Sequence, residues 1–384
     1  MKYINYGRQW IDKSDIKAVL KVLSGDLIAQ GPKVEEFEKA LCKYTGAKYC
    51  VAVSNGTAAL HLAVLALDIE KGSEGITTPI TFVASSNCLI YNNIKPVFAD
   101  IDSKTYNIDP NEIVKKITKK TEIIIPVHFA GQPANMKEIR QIAKKNKLFV
   151  VEDAAHAIGS KYADDSNVGN CKYSDMTTFS FHPVKTITTG EGGAITTNDK
   201  ELYNKLLLLR AHGITKYPKE CSQYPGPWYY EMQELGFNYR LTDIQAALGI
   251  SQLKKLNNFI KLRRNIVKKY NHAFSLLPNV IIPYENTNVF SAFHLYVLQI
   301  DFAKIGKTRK QVIEELDKKG IGTQVHYIPV HLQPYYKKPF GYKKGDFPIA
   351  EKYYDKCLSL PLYPKMTSSE VAYVIKEFKN VISQ

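Results

Sequence analysis

The stretch SFHPVKTITTGEGGAITTND, Ser180 to Asp199, decides how the rest of the chain reads. It sets one lysine, Lys185, between an apolar run and a cluster of glycines and threonines. Other lysines of the chain recur in amphipathic segments such as EIVKKITKK and IRQIAKKNK, where they occupy the solvent face of a helix. The run MTTFSF before Lys185 and the run GAITT after it both have the look of strands. A cation following a strand is in the right place to meet a ligand, because open α/β sheets bind ligands beyond the carboxyl ends of their strands.

Working outward, YCVAVS, KPVFADI, TEIIIPV and LFVVED are further strand-like runs. They alternate with helical segments such as GTAALHLAVLAL, NMKEIRQIAKKN and KELYNKLLLLRAHG. Val34, Phe37 and Leu41 share a helix face that ends near Gly46. The pattern predicts a large three-layer α/β/α domain around a mostly parallel sheet, residues 1–256 with the N-terminal segment included. Helices over about 241–256 and 258–277 lead into a smaller C-terminal α/β domain, 257–384. In it HLYVLQI and GTQVHY read as strands, and TRKQVIEELDKKG, PIAEKYYDKCL and SSEVAYVIKEFKNVI as helices. CSQYPGPWYYEMQELG reads as a structured loop, with Tyr229 and Tyr230 in packing roles.

Composition narrows the function classes. The chain has 384 residues, 45% hydrophobic and 23% charged, as in an ordinary soluble protein. The start MKYINYGRQW lacks the apolar core of a signal peptide, and the apolar run Ala58 to Leu67 is too short to cross a bilayer. A cytoplasmic protein with no membrane partner is expected. Six cysteines are scattered without a C-x-x-C pair, so free thiols, mostly buried, are expected rather than disulfides or a metal site. The net charge of +15 comes without a helix-turn-helix or an aromatic-interleaved basic motif, so nucleic acid is not the expected partner.

Three strand ends carry polar residues. After YCVAVS come Asn55, Gly56 and Thr57 at the start of a helix, where free N–H groups suit a phosphate, although S-N-G-T is also a common helix cap. After LFVVE comes Asp153, a carboxylate at the edge of the apolar stretch AAHAIG that needs a cationic or hydrogen-bonding partner. Lys185 is the third. A phosphate cup, an acid and an amine with depressed pKa together fit pyridoxal 5'-phosphate, which requires all three. His182 alone, after an apolar strand, reads as a satisfied core histidine.

The motifs SNGTAALHLA, TTPITFVAS, VEDAAHAIGS, SFHPVKTITTGEGGAITTND and GFNYRLTDIQAALG, in this order, resemble the DegT/DnrJ/StrS family of pyridoxal-phosphate-dependent sugar aminotransferases. The resemblance spans essentially the whole chain and implies the aspartate-aminotransferase-like fold type I. It implies that Lys185 is the covalent anchor of the cofactor, that Asp153 keeps its pyridine nitrogen protonated and that His156 bonds its phenolic oxygen. It further implies that Phe82 stacks on the ring, and that Gly56, Thr57, Ala58 and Ser180 hold the phosphate. Asn238 would arrive from the second subunit of a homodimer with shared active sites. Tyr6, LIAQG, GPWYYEMQELGFNYRLTD, SAFHLYV and GIGTQVHYIPVHLQPYY carry a closer resemblance. They imply transfer from L-glutamate to C4 of a UDP-linked 4-keto-6-deoxy-N-acetylhexosamine, on the way to pseudaminic acid. The nucleotide sugar would then touch Tyr6, Leu27, Ile28, Ala29, Gln30, Asn238, Gln324, Val325, His326 and Tyr327. Two positions depart from the family pattern: Thr186, where proline is common after the lysine, and Gly56, where alanine is common. Competing readings are an aminotransferase for another nucleotide-linked keto sugar, such as a dTDP or GDP 3- or 4-keto sugar, and a non-enzymatic basic binding protein on the same fold. A sugar dehydratase of this fold typically has histidine where Lys185 stands.

Overall fold

A computed structural model describes residues 3–383. Seven strands form its central sheet: β1 Tyr49–Val53, β2 Glu74–Thr77, β3 Lys95–Phe98, β4 Thr121–Ile125, β5 Phe149–Asp153, β6 Met176–Ser180 and β7 Gly193–Thr197. They lie in the order β1-β7-β6-β5-β4-β2-β3. The neighbours from β3 to β6 are parallel, and β7 alone runs against both β6 and β1. The expected mostly parallel sheet is therefore present.

The three layers follow from the strand period. Side chains alternate between faces, so Cys50 and Ala52, Ile124 and Val150 enter one core with Phe37, Leu41 and Ile139 from the covering helices. Their neighbours Val51, Val53, Ile123, Ile125 and Val151 enter the opposite core with Leu60, Leu62 and Leu206. Both faces are covered, which is why these strands are apolar in succession rather than alternately. Helix Gly56–Leu65 has every residue from Ala58 to Val64 buried. Such a helix cannot shift without exposing side chains worth about 1.5–3 kcal/mol each for the larger aliphatics.

The second sheet contains, with β8 Ile214–Thr215 and β9 Glu231–Met232 forming a separate hairpin, the strands β10 Val280–Ile281, β11 Tyr296–Ile300 and β12 Cys357–Leu360. Its core includes Ile266, Tyr270, Leu298, Leu360, Val374 and Phe378, and Ile4 from the start of the chain. A further cluster joins the two sheets, with Ile80, Phe98 and Phe129 packed against Leu295, Val330 and Tyr336.

Several expectations need correcting. GTQVHY is not a strand: it makes only isolated bridges, Ile4 with Ile321 before it and Gln324 with Ser359. Gln324, Val325, His326, Tyr327 and Ile328 all line one cavity in succession, which alternating strand geometry does not permit. The third strand of the second sheet is instead β12, whose Cys357 and Leu358 looked like the end of the preceding helix. The segment EGIT, unassigned in the sequence, is β2, held between β3 and β4. In the loop between β8 and β9, Tyr230 is exposed rather than packed, and Tyr229 donates to Glu231 Oε1 at 2.9 Å. The six cysteines are free thiols, four of them buried. Among the described residues no helix is long and apolar enough to cross a membrane.

Candidate active site

A cavity of about 930 Å³ opens at the carboxyl ends of β1, β5 and β6. It gathers residues remote in sequence: Gly56, Thr57, Ala58, Phe82, Asp153, His156, Ser180 and Lys185, facing Tyr6, Gln324, Val325, His326 and Tyr327.

The cup begins where β1 turns into helix Gly56–Leu65. Asn55 caps the helix by accepting Ala58 N–H at 2.8 Å. The helix start, with its partial positive charge, then faces the cavity. Gly56 is required by contact rather than by conformation. A β-carbon there would lie 2.8 Å from Ser180 Cβ and 3.1 Å from its Oγ. Ser180 thus closes over the helix start, which gives a physical reason for glycine at this position. On the other side a β-carbon on Gly193 would meet Asn55 O at 2.4 Å, so β7 also presses on the cup.

Asp153 ends β5 and is 5% exposed. Its Oδ2 accepts from Ser85 Oγ at 2.6 Å and its Oδ1 from Ala155 N–H at 3.0 Å. Ser85 in turn shares a 2.6 Å hydrogen bond with Thr81 Oγ1. A carboxylate so held remains an acceptor aimed at one place. Lys185 stands on the loop from β6 to β7, which is closed at its base by Phe181 N–H to Gly192 O at 2.8 Å and Thr189 N–H to Phe181 O at 3.0 Å. Burial pushes the Lys185 ammonium down to about 8, against the opposing pull of the Asp153 charge. An amine of this kind is a usable nucleophile near neutral pH.

His156 is buried and held well below the usual imidazole range by burial, then by Lys185 and His326. Its Nε2 is 3.1 Å from Tyr327 OH, and its Nδ1 is buried without a partner. His326 has its Nδ1 2.7 Å from Ser359 Oγ and is pushed down to about 3 by burial and Lys185. Burial also raises the Tyr327 hydroxyl, which keeps it protonated and able to donate. The Tyr6 ring lies 5.5 Å from that of His326. Phe82, 59% exposed, presents its ring to the cavity 6.5 Å from that of Tyr327.

Leu27, Ile28, Ala29, Gln30 and Asn238 do not line this cavity. Leu27 and Ile28 are 56% and 51% exposed, and Asn238 sits on the surface in a bridge with Ala211. His182 is a correction: it is not a core histidine but stands exposed at the rim, Nε2 3.9 Å from Glu191 Oε1. Strand β6 ends one residue before Phe181, and the chain turns outward after it. Two residues went unread in the sequence. Ser85 is one hydroxyl among many in TTPITFVASS; His294 opens the expected strand HLYVLQI, at the amino rather than the carboxyl end where ligands are sought.

The cup left open beside Gly56, the acceptor Asp153, the deprotonatable Lys185 and the orphaned His156 Nδ1 fit pyridoxal 5'-phosphate in its phosphate, ring nitrogen, aldehyde and phenolic oxygen. Comparison with known proteins agrees. The profile described as DegT/DnrJ/EryC1/StrS aminotransferase family matches residues 9–379. The spore coat polysaccharide biosynthesis protein SpsC of Bacillus subtilis is 43% identical, covering 99% of this chain and 97% of its own. Among solved structures, Helicobacter pylori PseC, an aminotransferase involved in the biosynthesis of pseudoaminic acid, superposes with a TM-score of 0.93 at 33% identity, covering 99% of both chains. The PLP form of the putative sugar aminotransferase Spr1654 of Streptococcus pneumoniae gives 0.91 at 30% identity, covering 99% of this chain and 98% of that one. On these matches over nearly its full length, the chain belongs to the DegT/DnrJ/EryC1/StrS aminotransferase family, as a sugar aminotransferase that uses pyridoxal 5'-phosphate.

Proposed function

We propose that the enzyme moves the amino group of L-glutamate to C4 of a UDP-linked 4-keto-6-deoxy-N-acetylhexosamine, a step toward pseudaminic acid, in two half-reactions at one site. The observation that carries the reading is the convergence of Lys185, Asp153 and the Gly56 cup in a single cavity large enough for a sugar. The full-length likeness to the Helicobacter pylori enzyme supports the choice of sugar.

When bound, pyridoxal phosphate supplies an electron sink for the bond being broken at the amino-bearing carbon. In our reading Lys185 is its covalent anchor and, once displaced by the donor amine, the base that carries the proton away from the donor α-carbon. Because 2-oxoglutarate leaves before the keto sugar enters the same site, the kinetics are ping-pong. Asp153, fixed by Ser85 and Ala155 N–H, holds a proton on the pyridine nitrogen. His156, oriented by Tyr327, bonds the phenolic oxygen, and Phe82 covers the ring. Gly56, Thr57, Ala58 and Ser180 hold the phosphate.

We assign Tyr6 and Gln324 to Tyr327 to the nucleotide sugar. The exposed Leu27 to Gln30 and Asn238 have no place in their own cavity, which supports a homodimer in which each subunit completes the other's site. A second reading, amination of a different nucleotide-linked keto sugar, is favoured by the identity to the spore coat polysaccharide protein. Incubation with isotope-labelled L-glutamate and a panel of UDP-, dTDP- and GDP-keto sugars, followed by mass spectrometry of the sugar, tests both. Label in the UDP 4-keto sugar is expected; label only in a dTDP or GDP sugar would replace the first reading by the second.

A further inference from the structure

The donor's carboxylates need a partner, and the cavity is short of cations. Among the described residues of this subunit, Lys185 is the cavity's one lysine and no arginine lines it; four histidines do, His156, His182, His294 and His326. Three of these have polar neighbours: Tyr327 OH for His156, Glu191 for His182 and Ser359 Oγ for His326. His294 has none at Nδ1, which is buried without a partner although the residue is 5% exposed. Its ring lies 4.4 Å from that of His156.

Behind His294 stands a second unsatisfied group. Arg263 is fully buried, and its Nη1 donates to two carbonyls, His294 O at 3.2 Å and Leu362 O at 2.8 Å. Its Nε and Nη2 have no partner, and no carboxylate pairs with it among the described residues. A buried guanidinium without a counter-charge is costly. An anion arriving on the cavity side of His294 would supply that charge through one residue.

We infer that His294 receives the α-carboxylate of the amino donor, and that this binding carries a proton onto its imidazole. The inference rests on the reading of L-glutamate as donor. The α-carboxylate is favoured over the sugar's diphosphate by position. It is one bond from the carbon that must reach Lys185, whereas the whole sugar ring separates the diphosphate from C4. Burial first, then His156, Lys185, Arg263 and His326, the charged and titratable groups that face it, keep the free imidazole neutral. A carboxylate reverses the balance by favouring the charged ring. The complex then binds more protons than the free enzyme, so affinity rises as pH falls.

The probe is glutarate, a dicarboxylate of the donor's length with no amino group, titrated calorimetrically into the cofactor-loaded enzyme in buffers of different ionisation heat. Uptake approaching one proton per site is expected near neutral pH. His294→Gln keeps an N–H but cannot titrate, so uptake should vanish while part of the affinity remains. His294→Leu should lose both, with affinity down by about tenfold or more, as for a hydrogen bond to a charged group. UDP affinity should not change in either variant, which also shows that they fold. Absence of uptake by the wild type while L-glutamate supports turnover would overturn the inference and leave the donor reading standing. So would unchanged uptake or glutarate affinity in His294→Leu, or a loss that falls on UDP instead. Failure of L-glutamate to support any turnover would remove the donor reading and the inference with it.

Discussion

If burial holds the Lys185 ammonium near 8, the apoenzyme should capture its cofactor at a pH where an ordinary lysine is inert. At pH 7 a group of pKa about 8 is roughly 9% free amine, against roughly 0.03% for one at the reference value, a ratio of about 300. The corresponding free-energy difference is about 3 kcal/mol. Apoenzyme mixed with pyridoxal 5'-phosphate in a stopped-flow instrument, followed by the visible absorbance of the bound cofactor, reads this directly. Rates for a blocked lysine measured in the same buffers cancel the cofactor's own titrations. The ratio of enzyme to blocked lysine should climb tenfold per pH unit toward low pH between the two pKa values and be level below about pH 8. Asp153 is the one group that opposes the shift, so Asp153→Asn should move the midpoint lower still. An enzyme rate that keeps climbing in parallel with the blocked lysine through pH 9 would refute the reasoning, since it would mean that the amine is solvated like any other.

Stability gives an independent reading of the same burial. A lysine depressed in the folded state binds fewer protons than in the unfolded one between about 8 and 10.5, so apoenzyme stability rises with pH across that window. Lys185→Met should therefore stabilise the apoenzyme in urea melts at pH 7 by at most about 3 kcal/mol, with no gain above the window. Ser85→Ala removes the 2.6 Å bond to Asp153 and should slow single turnover with L-glutamate by about 10- to 150-fold, the rate equivalent of about 1.5–3 kcal/mol for a hydrogen bond to a charged group. Unchanged turnover would show that Asp153 holds its place without it. Lys185→Ala and Asn238→Arg, each inactive, should together recover about half the wild-type activity per mixed dimer after subunit exchange, since one of two sites is then intact. Proven mixed dimers with no activity would return Asn238 to its own subunit or remove it from the site.

The central sheet was legible because it is buried on both faces: runs such as TEIIIPV admit few alternatives once turn residues bound them. Lys185 and Asp153 were legible because a charge immediately after such a run has nowhere to go except the sheet's ligand end. Local pattern failed where tertiary contact decides. GTQVHY has strand composition, yet four successive residues of it, Gln324 to Tyr327, line one cavity. EGIT is polar at its first residue, and Glu74 is accommodated only because Lys95 and Thr118 meet it at 3.0 and 2.7 Å. His294 and Arg263 lie in different elements, and no spacing in the sequence reveals that the guanidinium of one holds the carbonyl of the other. Gly56 departs from the family pattern in sequence, and only its contact with Ser180 in the fold gives the reason.

The Lys185 loop leaves β6 and returns to β7, its antiparallel neighbour, and is tied across its own base. Mechanically the lysine therefore travels with Asp153, on the next strand of the same sheet. His294, His326 and Tyr327 come from other segments: His294 precedes β11 and donates its N–H to Ala130 O at 2.8 Å, while His326 reaches β12 through Ser359 Oγ. The acid and the amine thus share one rigid support, and the His156–Tyr327 bond ties the opposite wall to it. An amino acid and a nucleotide sugar differ several-fold in bulk, yet both must present one carbon to the same amine. Because acid and amine are braced by one sheet, either can be received without disturbing their alignment.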